Sequence, residues 1–338
     1  MEKGEIMLNT SFSVHYEGRN ITADIAEDVL SISYTDNEDG KVDDVSLLLK
    51  DDSHKWTGPW MPEKGDLFQA ALLPDGMAAL HFGQVQVDEI SASGPPSVIA
   101  IKGVSVPIKS GVRRLLKTRA WEKITYQGIA QKIACCADLA FLFLVDRDDN
   151  PHYERVDQTE ESDLSFLNRL AQDEGFSLKV TDNQLVVFEQ AMFEAKEPVA
   201  RFTLGEDAIK AWSFNNQSYD VYKSCTCKYR IPKKKKSIHY TYIDPDIEDG
   251  LNLKIRKLVA NLAEARRKAK AALRRKNRYQ YTGNLTLVGD TRLCAGVTIA
   301  IGGFGGYDGK YIIEKAIHTL DNNGYTTALE LRRVIIGY

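Results

Sequence analysis

The densest pattern with chemical potential is a glycine run near the C-terminus, Gly302-Gly303-Phe304-Gly305-Gly306-Tyr307-Asp308-Gly309-Lys310. Such runs cradle phosphates when they open a helix, because converging backbone N–H groups then face the anion. This one does not fit. A phosphate loop ending on Gly309-Lys310 puts Phe304 where its first glycine belongs and Tyr311 where a magnesium-binding hydroxyl belongs. A dinucleotide pattern from Gly303 meets Asp308 in place of its third glycine. The residues after Lys310 are strand-like, so the run reads as a hairpin. The six histidines (15, 54, 81, 152, 239, 318) are scattered, with no His-Glu-x-x-His helix, and no Gly-x-Ser-x-Gly elbow occurs. Glu160-Glu161 stands where acids suit the positive end of a helix. A glycosidase carboxylate pair leaves no signature in spacing, since its members can be far apart. No motif with a mechanism survives, and the chain is read as a non-enzyme with no catalytic, cofactor-binding or metal-binding residue.

Five cysteines are too few for a disulfide scaffold. Cys135 and Cys136 lie in a helical-looking run, where neighbours do not share a face. Cys225-x-Cys227 lies in a strand-like run, where they do, but no second Cys or His pair stands at zinc spacing. All five are expected to be reduced and structural.

The strongest charge feature is local. Net charge is -3, yet residues 233–278 hold fifteen basic and five acidic residues, a segment of +10 within a remainder of -13. It opens with Lys233-Lys234-Lys235-Lys236, passes Asp244, Asp246, Glu248 and Asp249, and ends in an expected helix from about Arg256 to Asn277. Leu258, Leu262, Ala265, Ala269, Ala272 and Leu273 form a narrow apolar face on it. Arg266, Arg267, Lys270, Arg274 and Arg275 are the residues singled out for a protein or nucleic-acid contact. Nucleic acid would require stacking aromatics or a groove-reading module. Tyr279 and Tyr281 flank the helix without resembling one, so a protein contact is favoured.

These features sit in a chain of 338 residues, enough for two or three domains. Apolar residues make up 43% and charged residues 27%, which excludes disordered and collagen-like classes. The longest apolar stretch, Ile133 to Val145, is broken by Asp138 and falls short of the roughly 20 residues of a membrane span. The N-terminus lacks a signal-peptide pattern, so synthesis in the cytoplasm is expected. Residues 1–106 read as short strands (11–16, 45–49, 66–73, 82–90, 98–104) with Gly/Pro turns, a barrel or sandwich. Residues 107–196 read as an α/β module with helices at Trp121–Ala140 and Thr159–Gly175 and a hairpin around Thr181-Asp182-Asn183. Residues 197–338 return to β (211–214, 221–229, 283–288, 297–301, 310–318, 326–332), interrupted by an insertion at 231–278.

Two stretches follow one plan. Gly65 precedes one strand, Gly83 opens a second, and Pro95-Pro96 turns into a third. Gly296, Gly309 and Asn322-Asn323-Gly324 punctuate 297–331 in the same way. This is an internal echo in pattern and not in identity.

Two segments carry a family resemblance. One is Gln158-Thr159-Glu160-Glu161-Ser162-Asp163-Leu164-Ser165-Phe166-Leu167-Asn168-Arg169-Leu170-Ala171, leading to Gly175. The other runs from Ala263 through Gly283, Gly289, Ala295-Gly296, Gly309-Lys310-Tyr311 and His318 to Gly324-Tyr325-Thr326-Thr327. In both, the chain resembles the phage late-control protein D family, the baseplate hubs of contractile tails, with relatives in R-type bacteriocins, other injection systems and the N-terminal part of VgrG proteins. The resemblance implies a mainly β fold with α+β parts. It consists of two tail-tube-like β-barrels, the α/β module between them, and a helical basic insertion in the second barrel. It implies a homotrimer whose six barrels form a ring joining the six-fold tube to a three-fold spike, in an assembled phage tail or tail-like particle. The implied partners are the chain itself, the tail tube protein and a trimeric spike, with the tape-measure and other baseplate proteins beyond them. The sequence ends at Tyr338 after the last strand, so the spike is expected to be a separate polypeptide. Two alternatives come from other classes: a nucleic-acid-binding protein using 233–278, and a cell-wall hydrolase.

Overall fold

The computed structural model describes residues 9–106, 111–146, 150–207, 209–230 and 237–335. The Lys233–Lys236 run and Tyr338 lie outside the described residues. The first region runs β1 (Thr10–Tyr16), β2 (Arg19–Asn20), α1 (Thr22–Ile25), β3 (Val29–Asn37), β4 (Asp44–Lys50), β5 (Leu67–Pro74), β6 (Leu80–Ser93) and β7 (Val98–Val104). Alternation at period two buries Ile32 and Tyr34 on β3, Val45, Leu47 and Leu49 on β4, and Ile99 and Ile101 on β7. These residues meet Phe68, Leu72, Phe82, Val85 and Val87 in one apolar core.

The middle region runs β8 (Lys117–Thr125), α2 (Tyr126–Cys136), β9 (Ala140–Leu144), β10 (His152–Glu161), α3 (Asp163–Glu174), β11 (Ser177–Thr181), β12 (Gln184–Phe188) and α4 (Gln190–Glu194). α2 and α3 bury Ile129, Ile133, Phe166, Leu167 and Leu170 against Leu178, Val180, Leu185 and Val187 of the β11-β12-β9 sheet. Both expected helices start later than read. Lys117–Thr125 is a strand paired with β10, and the Thr125 hydroxyl accepts from Gly128 N (3.1 Å) to start α2 at Tyr126. Thr159–Glu161 belongs to β10, and Ser162 caps α3 by accepting from Ser165 N (3.3 Å). Gly175 ends α3 in the left-handed conformation, φ 88°.

The last region runs β13 (Ala200–Thr203), β14 (Ile209–Asn216), β15 (Tyr222–Arg230), β16 (Ser237–Ile243), β17 (Leu251–Ile255), α5 (Leu262–Asn277), β18 (Tyr281–Val288), β19 (Thr298–Gly302), β20 (Gly309–Asp321) and β21 (Gly324–Arg333). The insertion differs from expectation. β15, expected to belong to the surrounding β region, pairs with β16 and β17 in a separate three-stranded sheet. α5 begins only at Leu262, because Asn261 accepts from Glu264 N (2.8 Å) while Glu264 Oε2 accepts from Ala260 N (2.7 Å). Ala265, Ala269, Ala272 and Leu273 pack on Cys225 and Cys227, whereas Leu258 and Leu262 are exposed. Burial raises the Cys225 thiol to about 12. Cys135 and Cys136 are exposed, against the expectation of structural burial, and all five thiols are free. The glycine run is the β19–β20 hairpin with a single 3-10 turn, leading into a strand.

The echo is a repeated strand order. The first series reads β3-β4-β7-β6-β5-β1 and the second β14-β18-β21-β20-β19-β13. Registers repeat as well. Leu49↔Ile99 and Leu47↔Ile101 correspond to Leu287↔Thr327 and Leu285↔Leu329. Single-residue bulges recur at Leu30 and Lys210, and at Asp88 and Glu314. Gly65 N donates to Val87 O at 2.8 Å, and Gly296 N to Ile313 O at 2.8 Å. Both glycines have positive φ, 90° and 83°, a conformation that side chains disfavour and that the strand entry requires. One difference stands: β1 meets β5 antiparallel, β13 meets β19 parallel. The two series form one sheet, because β20 leaves β19 after Ile312 and pairs with β3 from Lys315 to Asp321.

Candidate assembly surface

The segment Gln158–Ala171 works as a lock inside the α/β module. Gln158 is fully buried and its Nε2 donates to Glu161 O (2.9 Å) and Asp163 Oδ1 (3.0 Å). Arg119 Nη2 donates to the same Asp163 oxygen at 2.6 Å, and Lys117 closes on the other. Arg169 returns to Glu161 through two hydrogen bonds of 2.9 and 3.0 Å. The polar residues of the motif therefore fix the β10-to-α3 turn, while Phe166, Leu167, Leu170 and Ala171 fill the core.

The basic helix is largely engaged within its own chain. Arg267 Nε lies 3.3 Å from Glu174, Lys268 Nζ 2.8 Å from Glu264, and Arg274 Nη2 2.6 Å from Glu194. Lys276 pairs with Asp220 and Lys257 with Asp173. Arg275 donates to Gln172 (3.2 Å) and Arg278 to Gln190 (3.0 Å). Burial raises the Glu174 carboxyl, with Lys268 and Arg267 opposing. Of the five residues read from sequence, Arg274 is buried, Arg267 and Lys270 are half-buried, and Arg266 and Arg275 are exposed. Arg266, Arg267, Lys270 and Arg274 line one groove together with Glu174 and Glu189, so they do not form a uniformly positive stripe.

The centre of charge lies where the regions meet, and sequence reasoning missed it. Arg332 on β21 is fully buried and pairs with Glu194 of α4, with Glu38 at 3.2 Å and with Glu314 at 2.9 Å. Burial opposes the Arg332 charge, but the three carboxylates outweigh it and raise its pKa. Burial pushes Glu38 up to about 7, with Arg332 pulling the other way. Glu38 N also donates to Glu314 O at 2.9 Å. Beside it, Lys179 bridges Asp36 and Asp43, and Asp36 Oδ2 accepts from Ala295 N at 2.8 Å. His318 Nδ1 lies 2.8 Å from the Tyr325 hydroxyl and Nε2 3.1 Å from Leu293 O; burial lowers the ring's pKa to about 4, with Asp36 and the Leu293 carbonyl opposing. The β20–β3 junction is thus tied by ion pairs that draw on all three regions. Arg332 gave no signal, since it follows the alternating set Tyr325, Leu329 and Leu331 at the parity of the less buried face of β21. Glu194 and Glu38 gave none, since burial of an isolated acid leaves no local pattern.

Besides the outer strands of the small sheets, β14 and the tail of β6 lack a strand on one side among the described residues. β14 has β18 on one side only, and β6 beyond Val87 has β7 on one side only. Ser91, Ala92 and Ser93 are exposed, as are Ala211, Trp212, Ser213, Asn215 and Asn216. No group of three or more His, Cys, Asp or Glu side chains placed to hold a metal occurs among the described residues.

A protein-family model described as YQBQ-like matches residues 254–332. The chain is 24% identical to the "Probable baseplate hub protein" of Escherichia phage 186 over 366 aligned positions, covering 96% of this chain and 93% of that protein. Its fold is similar to that of the 43 kDa tail protein of prophage MuSo2 from Shewanella oneidensis, with TM-score 0.73, 15% identity and coverage of 96% and 98%. It is also similar to an E. coli component of the type VI secretion system, described as structurally similar to T4 bacteriophage tail proteins gp27 and gp5. There the TM-score is 0.58 at 14% identity, with coverage of 98% and 78%.

Proposed function

We propose that this chain is the baseplate hub of a phage tail or tail-like injection particle, acting as a homotrimer whose six repeated β units close into a ring between tube and spike. The observation that carries this is the duplicated strand order within one continuous sheet, since each copy would supply two pseudo-equivalent segments and three copies would supply six. Similarity over nearly the full length to the phage 186 protein supports the same role. In this reading 1–106 and 197–338 are the ring-forming units, 107–196 and the insertion 231–278 lie outside them, and the tube and a separate spike bind opposite rims. The role is structural, with no bond made or broken. For the basic segment a protein contact is favoured over nucleic acid, because Arg267, Lys268, Arg274 and Lys276 already meet carboxylates of the same chain.

Native mass spectrometry of the chain, with and without its candidate spike, tests the ring. A species at about three times the 37.9 kDa monomer is expected in at least one sample. Monomer in both would overturn the reading.

A further inference from the structure

Within one chain, the distal half of β20 pairs with β3: Ala316↔Asp36, Ile317↔Thr35, His318↔Tyr34 and Thr319↔Ser33. Each partner has a counterpart in the other series. The bulges align Glu314 with Asp88, which makes the distal half of β6 the counterpart of the distal half of β20. The bulges at Leu30 and Lys210 make β14 the counterpart of β3. These counterparts, the β6 tail and β14, each lack a strand on that side among the described residues, and no described pairing joins them to each other.

We infer that the β6 tail of one copy pairs with β14 of a second copy of this chain, repeating between subunits the junction that β20 and β3 make within one. This rests on the proposed ring and specifies its contact. Carried over through the bulges, the register is antiparallel, with Ile90↔Asn216, Ser91↔Asn215, Ala92↔Phe214 and Ser93↔Ser213. The contact is head-to-tail, using a different edge on each copy, and such contacts generate a ring when the rotation closes. The side chains suit an edge that waits in solvent before it pairs. Ser91, Ser93, Ser213, Asn215 and Asn216 are small and polar, where the internal junction has buried Asp36 and His318. Exposed strand edges are templates for pairing, and a polar edge slows pairing with the wrong chain.

Directly opposed residues of an antiparallel pair have Cα atoms about 4.5–5.5 Å apart, within reach of a disulfide. The test is Ser91→Cys with Asn215→Cys in the full chain, with exposed Cys135 and Cys136 changed to Ser. It is run on the native mass spectrometry sample that shows the trimer. Mild oxidation should give a covalent dimer and a covalent trimer on a non-reducing gel. Ser91→Cys with Ala211→Cys, four residues or about 13 Å out of register, should give neither. A trimer that cross-links at neither pair, or equally at both, overturns the junction and leaves the ring reading standing. If no oligomer forms in any sample, the ring reading falls and the junction falls with it. A covalent ladder longer than three would support the strand pairing but overturn closure at three copies.

Discussion

The two series share strand order, register and bulges but solve the same packing problems with different residues. Phe68 on β5 lies over Gly103 on β7, so closely that a methyl group at Gly103 would overlap its ring. The corresponding positions in the second series hold Ile299 and Leu331, both buried. Tyr34 opposite Val45 likewise corresponds to Phe214 opposite Gly283. In the first case bulk leaves one position and is regained at the other across the intervening strand, as close-packed interiors require; in the second both members are smaller. The series differ more at their joints. Arg332 stands where the first series has buried Val104, and His318 where it has exposed Ala92. A common backbone plan thus tolerates a core exchanged pair by pair. Ionic and polar ties appear where one series meets the other in the same chain.

The largest effect separating the joints is expected at Arg332. Arg332→Met leaves Glu38 buried without its cation and Glu194 with Arg274 alone, and should cost about 3–5 kcal/mol in urea unfolding. Val104→Met at the corresponding site enlarges a buried side chain and should cost less, about 1–3 kcal/mol. Equal costs would break the contrast. Next comes His318, whose pKa falls from 6.5 to about 4 on folding. A depressed pKa means that stability is fully present above pH 6.5 and is lost as pH falls toward 4, by up to about 3 kcal/mol at 1.36 kcal/mol per unit. Glu38, pushed up to about 7, acts in the opposite sense over this range, so the loss is read as the difference in pH slope between the unaltered chain and His318→Gln from pH 7 to pH 4. A slope unchanged in the variant would assign the acid sensitivity elsewhere.

A smaller effect tests the core exchange. Gly103→Leu should destabilise by about 1–3 kcal/mol through overpacking, and adding Phe68→Ile should restore at least half. Two losses that simply add would show that the residues do not compensate. The smallest effect is expected at the free edge. Asn215→Lys should change unfolding free energy by no more than about 0.5 kcal/mol, whereas Thr35→Lys at the paired counterpart should cost clearly more. A large loss at Asn215 would mean that β14 is not a free edge.

Much of the fold was legible from local signals. Gly65 and Gly296 marked the repeat because entry into the strand needs a conformation other residues avoid, and Gly83 inside β6 and Gly309 at the start of β20 also have positive φ. Gly175 delimited α3 at its C-terminal end, whereas the start was placed at Thr159 and the cap is Ser162. The early starts assigned to α2 and α5 have one cause: a polar residue inside the expected helix, Thr125 or Asn261, caps the real one. Strand β3 was missed although Leu30, Ile32 and Tyr34 alternate, and with it went the joint between the series. The insertion was read as mostly helical because its charge drew attention from the alternation in Ser237–Ile243. The ties of Arg332 were not legible at all. They depend on Glu38, Glu194 and Glu314, which are brought together only by the fold.

The distance between those partners along the chain has a consequence for how the protein is made. Glu38 and Arg332 are 294 positions apart. Synthesis adds roughly 5–20 residues per second, so Glu38 emerges some 15–60 s before Arg332. Throughout that interval the nascent first region must hold Asp36, Glu38 and Asp43 without Arg332, and for about half of it without Lys179. Acids along an uncovered strand repel neighbouring copies on the same polysome. Charges that later close the joint therefore protect it while it is still open.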